Sequence, residues 1–239
     1  MIGLMGSLEE EIELFCRHAK IEKKYKYAGI DFYRGMIDDE PAVIVQCGIG
    51  KVNAAFSTQI LLKRFDIDRV VLTGVAGPLV PYLQQGDIVA ANYLIQHDSD
   101  PAAFELRQGE RTSAGRMLEA DPSMLRRMNE AYNSTYGCQT NRPQMVVGTI
   151  ISGHIFISDR KTIAFLHREF GAVAADLEGA AVAHVCQLNS VPFIVIRTIS
   201  DESSGNANGQ FKTFLDMAPI NVFAMIRNFL GSEKLQVVG

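Results

Sequence analysis

The chain has 239 residues, 47% of them hydrophobic and 21% charged, with a formal net charge of −4. That balance is enough for a sizeable core and excludes a disordered chain. No basic stripe stands out to support nucleic-acid binding, and no apolar stretch approaches the roughly 20 residues of a membrane span.

The N-terminus, Met1-Ile2-Gly3-Leu4-Met5-Gly6, runs directly into Glu9-Glu10-Glu11, without the basic and long apolar regions of a secretion signal. The four cysteines (Cys16, Cys47, Cys138, Cys186) are scattered and form no C-x-x-C pair. Reduced thiols in a cytoplasmic protein are expected, and a zinc site is not.

In chain order, Ile2–Met5 reads as a short strand closed by Gly6, and Leu8–His18 as a helix with three glutamates at its start. Ala42–Cys47 is a strand, Gly48-Ile49-Gly50 a turn and Lys51–Arg64 a helix. Arg69–Leu72 is a short strand ending near Gly74 and Gly77, and Ile88–Ile95 is another. Residues 98–121 are polar and irregular, the best candidate for a long functional loop. Pro122–Tyr132 follows as a helix, Gln144–Ile151 as a strand, Arg160–Glu169 as a helix and Ala172–Ala175 as a short strand. Gly179–Leu188 is an Ala-rich helix, Pro192–Ile199 the last clear strand and Gln210–Leu230 the terminal helix. This alternation predicts one α/β domain over residues 1–239, with a mainly parallel sheet and helices on both faces. Ligands of such sheets bind at the carboxyl ends of the strands.

Several chemistry-bearing residues follow strands. Carboxylates at Glu9–Glu11 fit plain stabilisation of a helix N-terminus, yet one of them can face the strand-end crevice. An apolar run ends in Arg197-Thr198-Ile199-Ser200-Asp201. Asp201 alone fits a turn or cap. Arg197, inside the run, needs a carboxylate nearby, and Asp176 or Glu178 can supply it, as a structural ion pair or as part of a site. The turns Gly48-Ile49-Gly50-Lys51 and Thr73-Gly74-Val75-Ala76-Gly77 match neither a P-loop nor a dinucleotide fingerprint, but together they suggest backbone lining one crevice. His97-Asp98-Ser99-Asp100 has no second histidine at ligand spacing, so no metal is expected. No G-x-S-x-G elbow is present.

Taken in order, these segments resemble the 5′-methylthioadenosine/S-adenosylhomocysteine nucleosidases of the purine nucleoside phosphorylase superfamily. The matching stretches are Ile2–Glu11, Cys47–Val52, Thr73–Gly77, Gly86–Val89, Ile151–Ile157, Asp176–Ala180 and Val195–Asp201, with Phe211 beyond them. The resemblance implies a single α/β domain whose twisted mixed sheet partly closes into a barrel flanked by helices. It implies a homodimer in which the partner chain completes the 5′ end of the pocket, and neither metal nor organic cofactor. The implied activity is hydrolysis of the N-glycosidic bond of 5′-substituted adenosines, a reaction of methionine salvage. Candidate substrates are methylthioadenosine, S-adenosylhomocysteine, 5′-deoxyadenosine and aminodeoxyfutalosine.

By the same resemblance, Glu11 activates water and Asp201 protonates the leaving purine at N7. Glu178 binds the ribose hydroxyls beside Arg197. Phe156 stacks on the purine and the backbone of Ile157 reads its edge. Leu8, Ile49, Leu177 and Phe211 line the ribose and 5′-substituent, and Phe104 reaches into the partner's pocket. The pattern departs from the family at Val75, where a Ser is usual, at Leu177, where a Met is usual, at Pro78, and in residues 99–121 beyond Phe104. Two alternatives stand beside the hydrolase: a phosphorylase, which would require cationic residues near Gly6 where Glu9–Glu11 stand instead, and a nucleoside-binding protein without turnover.

Overall fold

A computed structural model of the chain describes residues 1–99, 105–110, 115–200 and 218–231, the side chains of 218–221 excepted. Strand β1 (Ile2–Gly6) is buried at every position and pairs in parallel with β4 (Glu40–Gln46) on one side and β5 (Arg69–Pro78) on the other. Fully apolar runs of this kind suit a sheet covered on both faces. Beyond β5, β10 (Phe193–Ile199) runs parallel to it and antiparallel to β6 (Ile88–Gln96). β6 then pairs in parallel with β8 (Met145–Ser152), and β8 with β9 (Ala172–Asp176). β9 returns to the far end of β5, where Gly77 faces Ala175 and Pro78 faces Ala174, so β5, β10, β6, β8 and β9 close a ring. The short β7 (Leu118–Glu119) pairs with β6 outside the ring. The sheet is therefore mixed rather than mainly parallel.

The helices are placed by local chemistry. The first turn of α1 (Glu9–His18) is acidic and its last turn holds Arg17 and His18, which suits the helix dipole. α2 (Lys51–Arg64) starts from Gly50 at φ 92°, a conformation that costs glycine little. Asp121 accepts from the Met124 N–H to cap α3 (Pro122–Tyr136), and Asp159 accepts from the Thr162 N–H to cap α4 (Arg160–Phe170). α5 (Gly179–Leu188) and α6 (Ala218–Gly231) complete the set among the described residues. α2 and α5 cover one face through Ala54, Leu61, Val182 and Cys186. α1, α3 and α6 cover the other through Phe15, Met128 and Phe229, and α4 packs Leu166 and Phe170 beside Ile95 and Ile151.

Residues 19–41 have no assignment in the sequence reading, yet they hold a hairpin of β2 (Lys20–Tyr27) and β3 (Ile30–Ile37), which extends the sheet from β4. Its two-residue loop puts Ala28 at φ 50° and Gly29 at φ 84°, the positive angles that a tight hairpin needs. β2 is a sheet edge carrying Lys20, Lys23, Lys24 and Lys26, a local basic strand that the overall charge conceals. β5 is also longer than its apolar run, continuing through Gly74 and Gly77 to Pro78. Among the described residues, no helix is long and apolar enough to cross a membrane.

Candidate active site

Glu11 stands apart from its two acidic neighbours. Glu9 and Glu10 face solvent, whereas Glu11 is buried. It occupies the third position of α1 and folds back over the turn after β1. Its Oε2 accepts from the Ser7 N–H at 2.6 Å, the Ser7 hydroxyl at 2.8 Å and the Leu8 N–H at 3.0 Å. Its Oε1 accepts from the Val75 N–H at 3.1 Å. The contact with Leu8 is one half of a capping box; leucine has no side-chain acceptor for the other half.

Arg197 lies fully buried in β10. Its Nε donates to Asp176 Oδ2 at 2.8 Å, its Nη2 lies 2.7 Å from the same oxygen and 3.2 Å from Glu178 Oε2, and its Nη1 donates to the Thr73 carbonyl at 3.2 Å. Both candidate partners in the sequence are thus real partners. Asp176 is fixed further by the Ser152 hydroxyl and the Gly179 N–H, and Ser152 in turn accepts from the Ala180 N–H at 2.7 Å. Glu178 Oε1 accepts from the Gly50 N–H at 2.8 Å. Strands β5, β9 and β10 therefore meet at one guanidinium. Gly74 allows the meeting: a Cβ there would lie 2.2 Å from Arg197 Nη1 and 2.5 Å from Glu11 Oε1.

This cluster places the carboxylates of Glu11, Asp176 and Glu178 near a single guanidinium. Burial pushes the Glu178 carboxyl up to about 7, and Asp176 and Glu11 push the same way, against Arg197 and the Gly50 N–H. Burial alone would lower the pKa of Arg197, but Asp176, Glu178 and Glu11 together raise it above its ordinary value. The Cys47 thiol, buried at the end of β4, is raised well above the thiol range by burial and then by Glu178 and Glu11. It packs as a small apolar group.

The remaining candidates lie around the rim. Ile49 is exposed beside Gly50, Leu177 is half-buried between Asp176 and Glu178, and Leu8 is half-buried at the start of α1. Phe156 is exposed and Ile157 half-buried in the loop after β8. That loop is tied down by the Gly153 N–H to the Asp176 carbonyl, at 3.2 Å, and by the His154 N–H to Asp98 Oδ2, at 2.9 Å. Asp98 also pairs with Lys51. In the sequence His97-Asp98 suggests only a metal pair, and in the structure Asp98 makes this anchoring contact instead. Among the described residues no cluster of His, Cys, Asp or Glu is arranged to hold a metal ion. Asp201, Phe211 and Phe104 lie outside the described residues. The strand that leads to Asp201 is fixed up to Ser200, whose N–H donates to the Ala76 carbonyl at 3.1 Å.

Comparison with known proteins points to one group. The model of the phosphorylase superfamily matches residues 1–231. The chain is 33% identical over 222 residues to a 5′-methylthioadenosine/S-adenosylhomocysteine nucleosidase of Staphylococcus epidermidis, covering 92% of this chain and 95% of that one. The solved structure of a nucleosidase of the same name from Colwellia psychrerythraea, in complex with adenine, superposes with a TM-score of 0.89 at 31% identity, over 96% of this chain and 94% of that one. A futalosine hydrolase of Helicobacter pylori superposes with a TM-score of 0.90 at 29% identity, over 97% of both chains.

Proposed function

This chain belongs to the phosphorylase superfamily and, within it, to the 5′-methylthioadenosine/S-adenosylhomocysteine nucleosidases, and from that premise we propose that it hydrolyses the N-glycosidic bond of 5′-substituted adenosines. The observation that carries water, rather than phosphate, as the nucleophile is the position of Glu11. The turn after β1 offers the Ser7 N–H, the Ser7 hydroxyl and the Leu8 N–H, donors suited to an oxyanion. All three are occupied by Glu11 Oε2. A phosphate entering there would lose these donors and meet a carboxylate, which is unfavourable at short range in a buried site. Among the described residues Glu11 Oε1 accepts only the Val75 N–H, which leaves it capacity for a water proton.

In the proposed reaction the bond from C1′ to N9 breaks and its electron pair enters the purine. Asp201 gives a proton to N7, so neutral adenine leaves. The ribose becomes oxocarbenium-like, as in glycoside cleavage. A water oxygen bonds to C1′ while its proton passes to Glu11. Glu178 accepts hydrogen bonds from the 2′ and 3′ hydroxyls, with its other contacts to Gly50 and Arg197 setting its orientation. The excess of carboxylates around Arg197 supplies negative potential where positive charge develops on the sugar. Phe156 stacks on the purine, Ile157 reads its edge through the backbone, and Leu8, Ile49, Leu177, Val75 and Phe211 enclose the ribose and its substituent.

We further assign the working form to a homodimer. Ile49, Val52 and Phe56 stand exposed at the start of α2, and Ile155 and Phe156 stand exposed in the loop after β8, which Asp98 ties to Lys51 at the start of that helix. An apolar rim of this kind fits a second copy of the chain, with Phe104 reaching across. The four cysteines are unpaired, in keeping with a cytoplasmic enzyme. Similarity to the futalosine hydrolase keeps aminodeoxyfutalosine among the substrates beside methylthioadenosine, S-adenosylhomocysteine and 5′-deoxyadenosine.

The deciding measurement is adenine release from these nucleosides in phosphate-free buffer. Turnover without phosphate supports the hydrolase. A strict phosphate requirement would assign a phosphorylase, and tight nucleoside binding without turnover would assign a binding protein.

A further inference from the structure

The two halves of a nucleoside lie at a spacing set by its glycosidic bond, so the groups that hold the sugar and the base must keep a matching spacing. In this chain those groups sit on parts of the sheet that are not neighbours. Glu178 takes its orientation from the Gly50 N–H, in the turn between β4 and α2. The purine loop follows β8. The strand path from β8 to β4 passes through β9, β5 and β1, so no ladder joins the two directly. The sugar turn is braced from its own helix, where Asn53 Nδ2 donates to the Ile49 carbonyl at 2.8 Å and the Ser57 hydroxyl to the Cys47 carbonyl at 3.1 Å.

A direct link crosses the gap through side chains. Lys51, next to Gly50, pairs through Nζ with Asp98 Oδ1, and Asp98 Oδ2 accepts from the His154 N–H at 2.9 Å. Lys51 Nζ also lies 3.5 Å from Gln96 Oε1 at the end of β6. Their side chains are 12% and 23% exposed, although Asp98 taken as a whole residue is exposed. We propose that Lys51 and Asp98 are positioning residues that set the spacing between the sugar turn and the purine loop. A surface ion pair would contribute little to stability. This pair acts on alignment, where an error of an ångström slows a reaction far more than it weakens a fold. Asp98 is held below the ordinary carboxylate range although burial opposes this, through Lys51 and the His154 N–H.

The proposal rests on the nucleosidase reading, and the test separates the two. Lys51→Met and Asp98→Asn each leave an acceptor for His154. We expect each to lower kcat/KM for methylthioadenosine about tenfold, with the double variant no worse than either single one. Lys51→Arg should restore most of the loss. Inhibition by free adenine, which engages the base half alone, should change less than about twofold, and the melting temperature should hold. Equal losses for nucleoside and adenine, or a fall in melting temperature with kcat/KM intact, would overturn the positioning role. Should the parent release no adenine at all, the nucleosidase reading fails by itself. Calorimetric binding of methylthioadenosine and adenine then decides the positioning role alone: it stands if Lys51→Met weakens only the nucleoside, and falls if both or neither weaken.

Discussion

Around Arg197 the sugar half of the site is built from inside the fold, whereas the base half is presented at its edge. Arg197, Asp176, Glu178 and Glu11 are buried, and each is oriented by main-chain or side-chain partners from several strands. Ile155 and Phe156 face solvent, on a loop tied down by a few contacts. The contrast follows from what each half must do. Charge development on the ribose is met best by groups that do not reorganise during the reaction. The purine needs an apolar face and an edge, which mobile or shared surfaces can supply. Variants in the two halves should therefore fail in different ways, and four of them test that division.

The largest effect belongs to Glu11→Gln. The amide keeps the shape and one acceptor but cannot take the proton of water, so kcat should fall by about 10²–10⁴-fold. Its KM should move little. Adenine release at the parental rate would remove Glu11 from the mechanism and, with it, the claim that the buried half does the chemistry.

Arg197→Met comes next, and its effect is on the fold. It leaves Asp176 and Glu178 buried without their cation, a change of the kind that costs about 3–5 kcal/mol. Chemical denaturation should show the loss, together with loss of activity. A variant as stable as the parent would mean that Ser152, Gly179 and Gly50 satisfy the two carboxylates unaided.

Glu178→Gln separates charge from shape. Folding raises the Glu178 carboxyl from 4.5 to about 7. Protonated Glu178 is thus favoured in the folded state. The stability it brings is complete below pH 4.5 and is lost as pH rises through about 7. Glutamine does not titrate, so relative to the parent the variant should gain stability between pH 5 and pH 8, by about 2–3 kcal/mol. Denaturant unfolding at the two pH values checks this. A gain that shrinks with rising pH would show Arg197 dominating the carboxylate instead.

The same division marks what could be read from the sequence. Helices α2 and α5 are legible to the residue, because helical spacing and a flanking glycine define their ends. The hairpin of β2 and β3 is not. Lys20, Lys23, Lys24 and Lys26 break the alternation that identifies a strand, since β2 is an edge with most residues in solvent. β5 runs past its apolar stretch because its ladder partners, Arg197 and Thr198 of β10, carry it through Gly74 and Val75. Arg197 in an apolar run points to a buried carboxylate, and Asp176 and Glu178 both answer it. What no spacing could show is that Glu11, 186 positions before Arg197 in the chain, approaches the same glycine. Ordered family motifs linked them first, and the register of β1, β5 and β10 explains how. The bridge from Lys51 to Asp98 was hidden for the same reason, as a contact between segments 47 residues apart.

Phe156→Ala tests the edge half and carries the smallest effect. Stacking a base on an aromatic ring is worth about 1–3 kcal/mol by alanine substitution, so KM for methylthioadenosine should rise about tenfold. The ring meets the purine before and during bond cleavage alike. Such uniform binding changes KM and leaves kcat within a few fold. Phe156 is 44% exposed, so unfolding free energy should shift by no more than about 0.5 kcal/mol. Steady-state kinetics and denaturation on one preparation give all three numbers. A loss confined to kcat would mean that the loop after β8 helps to place the leaving-group acid, and the two halves would then be one device rather than two.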